Sequence, residues 1–339
     1  RSGFDYGEIK TDCRTLIAES MGISDARRIV YCANATCGLN IALHGFPWGK
    51  KPVVITTAAE HNSVLRPLYY LHKHNDLQTE IIPVDSSGRV IIDEFEKAVK
   101  KLSPRMVVFS HGSNVTGSVN PVSELSAIAR KYEAFVLLDA SQTMGLTDVT
   151  PELWGVDLVA FTGHKYLLGP GGTGGLYISK DIILEPVWVG GTGIHSDLDE
   201  MPPEMPSRFE AGTPNDASFA GLTSALKWQK ENPVDLNDMN RKIEYLCSGL
   251  IDAGATVNQV SAPRTPIVSF ILPGIETEEA GEILFKSFDI VCRTGLHCAP
   301  LIHNFLETGA SGNIRFSLSR FTADDEIDYV LSAVRSMLE

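Results

Sequence analysis

Short runs of apolar and β-branched residues recur through the first two-thirds of the sequence and limit its fold more than any other feature. The runs are almost continuously apolar instead of alternating, which is typical of strands that are buried on both faces. Helical patterns lie between several of them, and one helix is predicted to begin at Asn120-Pro121, as N-cap and first helical residue. Strand–helix–strand repetition predicts an α/β fold with a mainly parallel sheet sandwiched by helices. The runs are Ile29–Cys32, Val53–Thr56, Glu80–Val84, Met106–Phe109, Phe135–Leu138, Leu158–Phe161 and Gly175–Ile178.

The pattern changes after Thr213. Helices are predicted near 217–229 and 241–250, and strands over 266–270 and 314–318. A last helix shows clean helical spacing, and its predicted start is a capping box from Thr322 to Asp325. A chain of 339 residues fits about two domains. We therefore predict a large domain over 1–229 and a smaller C-terminal α+β domain over 230–339.

Charge and composition exclude several classes of protein. Lys and Arg number 29 and Asp and Glu 42, which gives a net charge of −13 and argues against nucleic-acid or membrane binding through bulk charge. No apolar run approaches the ~18 residues of a membrane span, and no signal-peptide pattern is visible. The six cysteines contain no C-x-x-C or zinc-site spacing. We expect a cytoplasmic, enzyme-sized protein without a metal centre.

Polar side chains follow five of the predicted strands, at the point where each strand ends. Because ligands bind outside the carboxyl ends of parallel strands, we expect these side chains to form one polar ligand site. Thr36 is predicted to cap the helix that follows the first strand. The segments are Asn34-Ala35-Thr36, Glu60-His61-Asn62, His111 to Asn114, Asp139 to Gln142, and Thr162-Gly163-His164-Lys165.

The residue types at these strand ends narrow the ligand. Lys165 stands just after a buried strand and is a candidate imine-forming amine, because desolvation lowers the pKa of such a group. Asp139 needs a cation or donors to justify its burial. A helix N-terminus with Thr36, together with the hydroxyl of Thr162, suits a phosphate. Aldehyde, cation and phosphate together describe pyridoxal phosphate.

A glycine-rich run from Gly169 to Gly175 offers a rival interpretation as a nucleotide-binding loop. That interpretation fails because the run precedes a strand and lacks the Gly-Lys-Ser/Thr of a P-loop. We expect the run to let the chain turn tightly near the cofactor.

Longer motifs add a family resemblance that covers the sequence from about Arg27 to its end. Thr162-Gly-His-Lys165 followed by Gly169-Pro-Gly-Gly-Thr-Gly resembles the cofactor-lysine signature of class V (fold type I) aminotransferases. Arg293-Thr-Gly-Leu-His-Cys-Ala-Pro300 and Ile314-Arg-Phe-Ser-Leu-Ser-Arg-Phe-Thr322 resemble the cysteine desulfurase branch, the former especially the group related to selenocysteine lyases. The family usually has a further N-terminal segment with an Asn-Ala-Ala type motif, which this sequence does not contain. Cys37 stands where relatives commonly carry an acidic residue.

The resemblance implies a role for each matching position at the cofactor. Lys165 would bind the cofactor aldehyde and later move a proton between Cα and the ring, and His61 would stack on the pyridine face. Asp139 would pair with the ring N–H. The remaining positions would contact the 3′-oxygen or its surroundings (Asn114 and Gln142) or hold the phosphate (Ala35, Thr36, Thr162 and His164). Thr213 would reach the phosphate of a partner subunit, which implies a homodimer.

The resemblance also assigns the substrate side of the site. Arg315, with Asn114, would bind the substrate carboxylate, and Cys298 would be the nucleophile that takes sulfur from the substrate. Cys298 lies beside His297 in a loop where we expect it to be exposed and activated. The alternative for Cys298 is a small buried thiol without a catalytic role. We expect such buried thiols at Cys32, Cys37, Cys247 and Cys292.

Three functions remain open on the sequence. The leading hypothesis is a pyridoxal-phosphate-dependent cysteine desulfurase that converts L-cysteine to L-alanine, forms a persulfide on Cys298 and passes sulfur to an acceptor protein, as in iron–sulfur cluster assembly. The alternative is a cysteine, cystine or selenocysteine lyase of the same fold, which would release pyruvate and ammonia. A non-catalytic scaffold is the third, and the joint presence of Lys165, Asp139 and His61 argues against it.

Overall fold

The computed structural model describes residues 6–50 and 52–339, so the first five residues of the predicted large domain lie outside it. In this part of the chain, seven strands form a sheet in the order β1-β7-β6-β5-β4-β2-β3. All strands run parallel except β7, which is antiparallel to both of its neighbours. The strands are β1 (Ile29–Cys32), β2 (Val53–Thr57), β3 (Gln78–Ile82), β4 (Met106–Ser110), β5 (Phe135–Asp139), β6 (Leu158–Thr162) and β7 (Gly174–Ile178). The seven predicted strands are therefore confirmed, with β3 beginning two residues early.

Helices cover both faces of this sheet, because successive residues of each strand point to opposite sides. In β1, Ile29 faces a core built with α1, α4, α5 and α7, whereas Val30 faces a core built with α2 and α3. The helices are α1 (Tyr6–Ser20), α2 (Ala35–Gly45), α3 (Asn62–Asn75), α4 (Ile92–Leu102), α5 (Val122–Lys131), a short α6 (Pro151–Trp154) and α7 (Asp216–Glu231). The predicted α/β sandwich is confirmed. None of the helices in the described ranges is both long and apolar enough to cross a membrane.

A second, antiparallel sheet forms from the C-terminal part of the chain, in the order β10-β11-β9-β8. Its elements are α8 (Leu236–Asp252), β8 (Thr256–Val257), β9 (Ile267–Ile271), α9 (Thr277–Phe288), β10 (Arg293–Gly295), β11 (Asn313–Ser317) and α10 (Asp324–Leu338). The three helices share a separate apolar core with this sheet, which includes the fully buried Phe270. The predicted boundary at 229/230 falls in the last turn of α7 and stays a prediction.

The start of α2 differs from the prediction that Thr36 caps it. Asn34 is the N-cap, and its side chain accepts a hydrogen bond from the backbone N–H of Cys37 at 3.0 Å. Asn caps helices as well as Ser or Asp does. The Thr36 hydroxyl is thereby left for the site, where it lies 2.7 Å from the Ser63 hydroxyl.

Two other predicted helix starts shift by one residue. Pro121, and not Asn120, is the N-cap of α5, because the Asn120 side chain bonds neighbouring backbone segments instead. Ala323 replaces the predicted Thr322 as N-cap of α10, and the Glu326 side chain accepts from the Ala323 N–H at 2.8 Å. The acidic partner of the capping box is therefore one residue later than the sequence pattern indicated.

Candidate active site

A cavity of about 300 Å³ lies at the carboxyl ends of the central parallel strands. Although Glu60, Asn62 and His111 from the same strand ends do not line it, it brings together every predicted cofactor position except Thr213. This follows from the topology, since the parallel strands all deliver their last residues to the same edge. The residues that line it are Asn34, Ala35, Thr36, His61, Ser63, Ser110, Gly112, Asn114, Asp139, Ser141, Gln142, Thr162, His164, Lys165 and Arg293.

Lys165 and Asp139 supply the opposite charges of this cavity. Lys165 follows β6 and is half-buried, and its burial lowers the pKa of the amine, while the charge of Asp139 acts in the opposite direction. A lowered pKa increases the neutral, nucleophilic fraction of the amine near pH 7. Asp139 ends β5, and its Oδ1 accepts a hydrogen bond from the Ser141 N–H at 2.9 Å. The carboxylate is thus held in a fixed orientation at the cavity wall.

His61 is held in one orientation and one tautomer at the start of α3. Its Nδ1 accepts from the Ser63 N–H at 3.0 Å and lies 2.8 Å from the Ser63 hydroxyl. Because Nδ1 accepts, the ring proton of the neutral imidazole lies on Nε2. Burial lowers the pKa of His61, so the ring is neutral near pH 7. The fixed, neutral ring therefore lines the cavity without adding a charge to it.

The N-terminus of α2 also lines the cavity and forms an anion cradle. Ala35 and Thr36 lie in its first turn, where free backbone N–H groups and the helix dipole favour a negative charge. The Thr162 hydroxyl lies 2.9 Å from Nδ1 of His164 beside it. A Cβ built on Gly174 of β7 would come within 2.8 Å of the Asn34 Cα, so the turn before α2 packs directly on β7. Only a glycine permits that approach.

The residues present fit the pyridoxal phosphate that the sequence predicts. The cavity is lined by a desolvated amine, a carboxylate and an anion cradle, and its volume suits a small aromatic ligand. Asn114 Oδ1 is buried and has no hydrogen-bond partner within the described residues, so it is available to a ligand. Gln142 lines the same cavity and is 8% exposed.

Arg315 reaches this region from the second sheet. It lies on β11, and its Nη1 donates to the backbone carbonyl of Asn114 at 2.6 Å. Its Nε is buried and lacks a hydrogen-bond partner among residues 6–50 and 52–339. Arg293 pairs with Arg315 across β10 and β11 and also lines the cavity. Two guanidinium groups and Lys165 together make a positive region suited to a carboxylate.

Cys298 lies on the rim of the site and is exposed, as the sequence predicts. It lines an open cleft of about 950 Å³ that shares Thr36 and His61 with the cavity. The Cys298 carbonyl accepts from the Asn62 N–H at 2.6 Å, which fixes the loop to the start of α3. The predicted activation by His297 gains no support, since burial lowers the pKa of its imidazole to about 4 and Nε2 bonds to Asn313 at 2.6 Å. His297 is therefore neutral near pH 7.

Thr213 lies apart from the main cavity. It is exposed and lines a separate hollow of about 280 Å³ together with Cys37. Within one chain the structure therefore gives Thr213 no contact with the cofactor site, and its role toward a partner subunit stays a prediction.

Two residues that shape the site have no individual role in the sequence prediction, although Glu60 belongs to one of the predicted strand-end segments. Arg293 belongs to a quoted motif, but only its pairing with Arg315 reveals that it lines the cavity. Glu60 is completely buried behind the site, where its Oε2 accepts from the Ser110 hydroxyl at 2.7 Å. Burial raises the pKa of Glu60 to about 7, and the charge of Asp139 adds to the effect. Glu60 lies three residues after the end of β2, and this position near a strand end is the sequence signal that could have placed it at the site.

Comparison with known proteins supports these observations. The family model described as aminotransferase class-V matches residues 2–330. A probable cysteine desulfurase of Mycolicibacterium paratuberculosis is 30% identical over 97% of this chain, which spans 49% of that relative. A probable cysteine desulfurase of Methanothermobacter thermautotrophicus is 30% identical over 88% of this chain and 76% of its own length. The chain thus spans about half the length of the first relative and three-quarters of the second.

Solved structures agree with the fold. An apo cysteine desulfurase from Thermococcus onnurineus superposes with a TM-score of 0.90 at 27% identity, over 98% of this chain and 84% of that one. The cysteine desulfurase CsdA from Escherichia coli superposes with a TM-score of 0.86 at 23% identity, covering all of this chain and 86% of its own, a likeness that bears on the fold alone.

Proposed function

The chain belongs to the class V aminotransferase family, and on that premise we propose that it is a pyridoxal-phosphate-dependent cysteine desulfurase. It converts L-cysteine into L-alanine and leaves the sulfur as a persulfide on Cys298. The observation that carries this proposal is the exposed Cys298 thiol in a cleft that opens beside Lys165, Asp139 and His61. A lyase needs the amine and the cavity but has no use for a thiol at the rim.

The side chains of the cavity divide the work of holding the cofactor. Lys165 would bind its aldehyde, Asp139 would pair with its ring nitrogen, and His61 would stack on the ring. Bound pyridoxal phosphate supplies an electron sink beside the Cα–H bond of an amino acid. Lys165 then removes and returns protons at Cα, a task that suits an amine whose pKa is lowered by burial. Ala35, Thr36, Thr162 and His164 would hold its phosphate, and Asn114 and Gln142 would contact its 3′-oxygen.

Arg315 binds the carboxylate of L-cysteine. Its guanidinium is held at one end by the Asn114 carbonyl, while Nε has no competing partner in the described chain. A planar fork fixed in this way binds a carboxylate with two parallel hydrogen bonds. Arg293, which pairs with Arg315 across β10 and β11 and lines the cavity, adds a second positive charge. The substrate is thereby oriented with its sulfur free to face the rim.

Cys298 then takes the sulfur. Its thiolate attacks the substrate sulfur, the bond from that sulfur to Cβ breaks, and Cβ gains a proton, so that L-cysteine and a thiol become L-alanine and a persulfide. A persulfide on an exposed residue is accessible to an acceptor protein, and iron–sulfur cluster assembly is one use of such sulfur. The free cysteines of the described chain fit a cytoplasmic compartment.

Product analysis tests the reaction. L-cysteine and a reductant are incubated with the wild type, Cys298→Ser and the control Cys247→Ser, which changes a half-buried thiol on α8 away from the cleft. We expect alanine from the wild type and the control, and almost none from Cys298→Ser. Pyruvate and ammonia from all three proteins would instead identify a lyase and make Cys298 a bystander.

The cofactor is tested separately by absorbance. Wild-type protein loaded with pyridoxal phosphate should show the yellow absorbance of a lysine-bound cofactor, and Lys165→Ala should lose it. Survival of that absorbance in Lys165→Ala would contradict the assignment of the lysine.

We also propose that the protein is a homodimer in which Thr213 reaches the phosphate bound by the partner subunit. Its exposure and its distance from the cavity of its own chain support this role. Sedimentation should give a dimer, and Thr213→Val should weaken cofactor binding without changing the dimer. A monomer that binds the cofactor fully would refute the proposal.

A further inference from the structure

The backbone at His297 and Cys298 has a conformation that is uncommon for residues other than glycine. Both residues have a positive φ angle, 50° at His297 and 60° at Cys298, in the left-handed region that a Cβ disfavours. Two successive residues of this kind are costly, and such a conformation persists only where surrounding contacts impose it. The turn that brings Cys298 to the cleft is therefore held against its own backbone preference.

Three contacts from three separate segments hold this turn. After β4, the Asn114 side chain donates from Nδ2 to the His297 carbonyl at 2.6 Å. At the start of α3, the Asn62 N–H donates to the Cys298 carbonyl at 2.6 Å. In the second sheet, Asn313 on β11 accepts at Oδ1 from Nε2 of the His297 ring, also at 2.6 Å. The turn is thus bonded both to the segments that surround the cavity and to the second sheet.

The His297 side chain anchors the turn from inside the protein. It is 2% exposed, and Asn313 is fully buried. Nε2 also lies 3.1 Å from the Asn313 backbone carbonyl, so both oxygens of that residue face the same ring nitrogen. A neutral imidazole has a single N–H, and here that N–H is donated to a residue in the middle of a packed sheet. The ring therefore ties the turn to a rigid element.

The same residues connect the turn to the arginine that we assign to the substrate carboxylate. The backbone carbonyl of Asn114 accepts from Nη1 of Arg315 at 2.6 Å, while its Nδ2 holds the His297 carbonyl. Asn313 lies two residues before Arg315 on β11. The thiol-bearing turn and the guanidinium are therefore linked twice, and their relative position is fixed.

We propose that His297 is a positioning residue for sulfur transfer, whose ring anchors this turn to β11 and thereby holds the Cys298 thiol at the substrate sulfur. The inference rests on the proposed desulfurase function. It differs from the activation of Cys298 by His297 that the sequence predicts, because it depends on where the thiol lies and not on its protonation.

Two variants that differ in one hydrogen bond test the anchor. His297→Gln keeps an amide N–H near the position of Nε2, whereas His297→Leu has no donor, and neither residue favours a positive φ. With L-cysteine and a reductant, His297→Leu should form alanine roughly tenfold more slowly or worse, because a misplacement of ~1 Å can cost about 100-fold in rate. His297→Gln should restore most of the rate. Equal loss in both variants would refute the role of the hydrogen bond.

A third variant separates the anchor from the backbone conformation. His297→Gly adopts the left-handed conformation without strain but has no ring, so it also keeps the test decisive if leucine disturbs folding. It should lose alanine formation as His297→Leu does. Both variants should keep the KM for L-cysteine and the yellow absorbance of the lysine-bound cofactor. A wild-type rate of alanine formation in either variant would overturn the proposal.

Hydrogen exchange reports the position of the turn without any turnover. The Asn62 N–H lies in the first turn of α3, where it has no intrahelical acceptor, so its protection depends on the Cys298 carbonyl. In cofactor-free protein this amide should exchange roughly tenfold faster in His297→Leu and His297→Gly than in the wild type, as expected for one lost hydrogen bond. His297→Gln should exchange like the wild type.

The two measurements separate this inference from the proposed function. Equal exchange of the Asn62 amide in all four proteins would show that the His297 ring does not hold the turn, against the inference. A wild type that forms no alanine would instead refute the desulfurase function, and with it the role of His297 in sulfur transfer.

Discussion

Replacing Glu60 by Gln tests the electrostatics behind the active site most directly. Glu60 is completely buried, and its carboxylate oxygens accept from the Thr57 hydroxyl at 2.5 Å, the Ser110 N–H at 3.1 Å and the Ser110 hydroxyl at 2.7 Å. These contacts do not offset desolvation and the charge of Asp139, so the pKa rises from 4.5 to about 7. Gln has nearly the same shape but carries no titratable group.

The sign of the effect on stability follows from that shift. The folded state binds the Glu60 proton more tightly than the unfolded state does. The protonated carboxyl therefore contributes its full stabilisation of the folded state below pH 4.5, and this contribution is lost as the pH rises toward 7. A shift of ~2.5 pKa units corresponds to about 3 kcal/mol in total. Between pH 5.5 and pH 8 the protein should lose about 2 kcal/mol of unfolding free energy through this group.

Urea unfolding of the cofactor-free protein at a series of pH values measures the effect. The unfolding free energy of Glu60→Gln minus that of the wild type should rise by about 2 kcal/mol from pH 5.5 to 8, since all other titrating groups are common to both proteins. Glu80→Gln, at an exposed position on β3, is the control and should run parallel to the wild type. A pH-independent difference for Glu60→Gln would refute a buried carboxyl with a raised pKa.

Two further substitutions test the substrate-binding arginine and the packing behind the anion cradle. Arg315→Lys removes the guanidinium fork that we assign to the carboxylate of L-cysteine. Steady-state kinetics should therefore show a KM raised roughly tenfold or more, a loss of about 1.5 kcal/mol of binding free energy, with a smaller change in kcat. An unchanged KM would show that Arg315 does not bind the substrate. Gly174→Ala places a Cβ 2.6 Å from the Phe161 carbonyl oxygen and 2.8 Å from the Asn34 Cα. Thermal unfolding should therefore show a loss of about 1–3 kcal/mol of unfolding free energy, and cofactor binding should be weaker. The control Gly171→Ala meets no atom within 4 Å and should behave as wild type.

The large sheet could be predicted from the sequence because its signal is local. A strand that is covered on both faces needs apolar side chains at successive positions. The run Met106–Ser110 is buried throughout, so five consecutive residues are enough to indicate the strand. In the second sheet the sequence predicts β9 from an apolar run and β11 from the alternating apolar residues Ile314, Phe316 and Leu318. Its β10, Arg293–Gly295, has no apolar run, and β8 has two residues. Pairing with neighbours, and not composition, makes these two segments strands.

The sequence by itself determined the fold class and the cavity, since Asp139, His61 and Lys165 follow strands whose carboxyl ends must meet at one edge. Only the tertiary structure decided what surrounds them. Register across β10 and β11 places Arg293 beside Arg315, and the hydrogen bond from the Asn62 N–H to the Cys298 carbonyl holds the Cys298 loop at the start of α3. Desolvation and contacts between distant segments set these environments, and both depend on distances in space that a one-dimensional pattern does not contain.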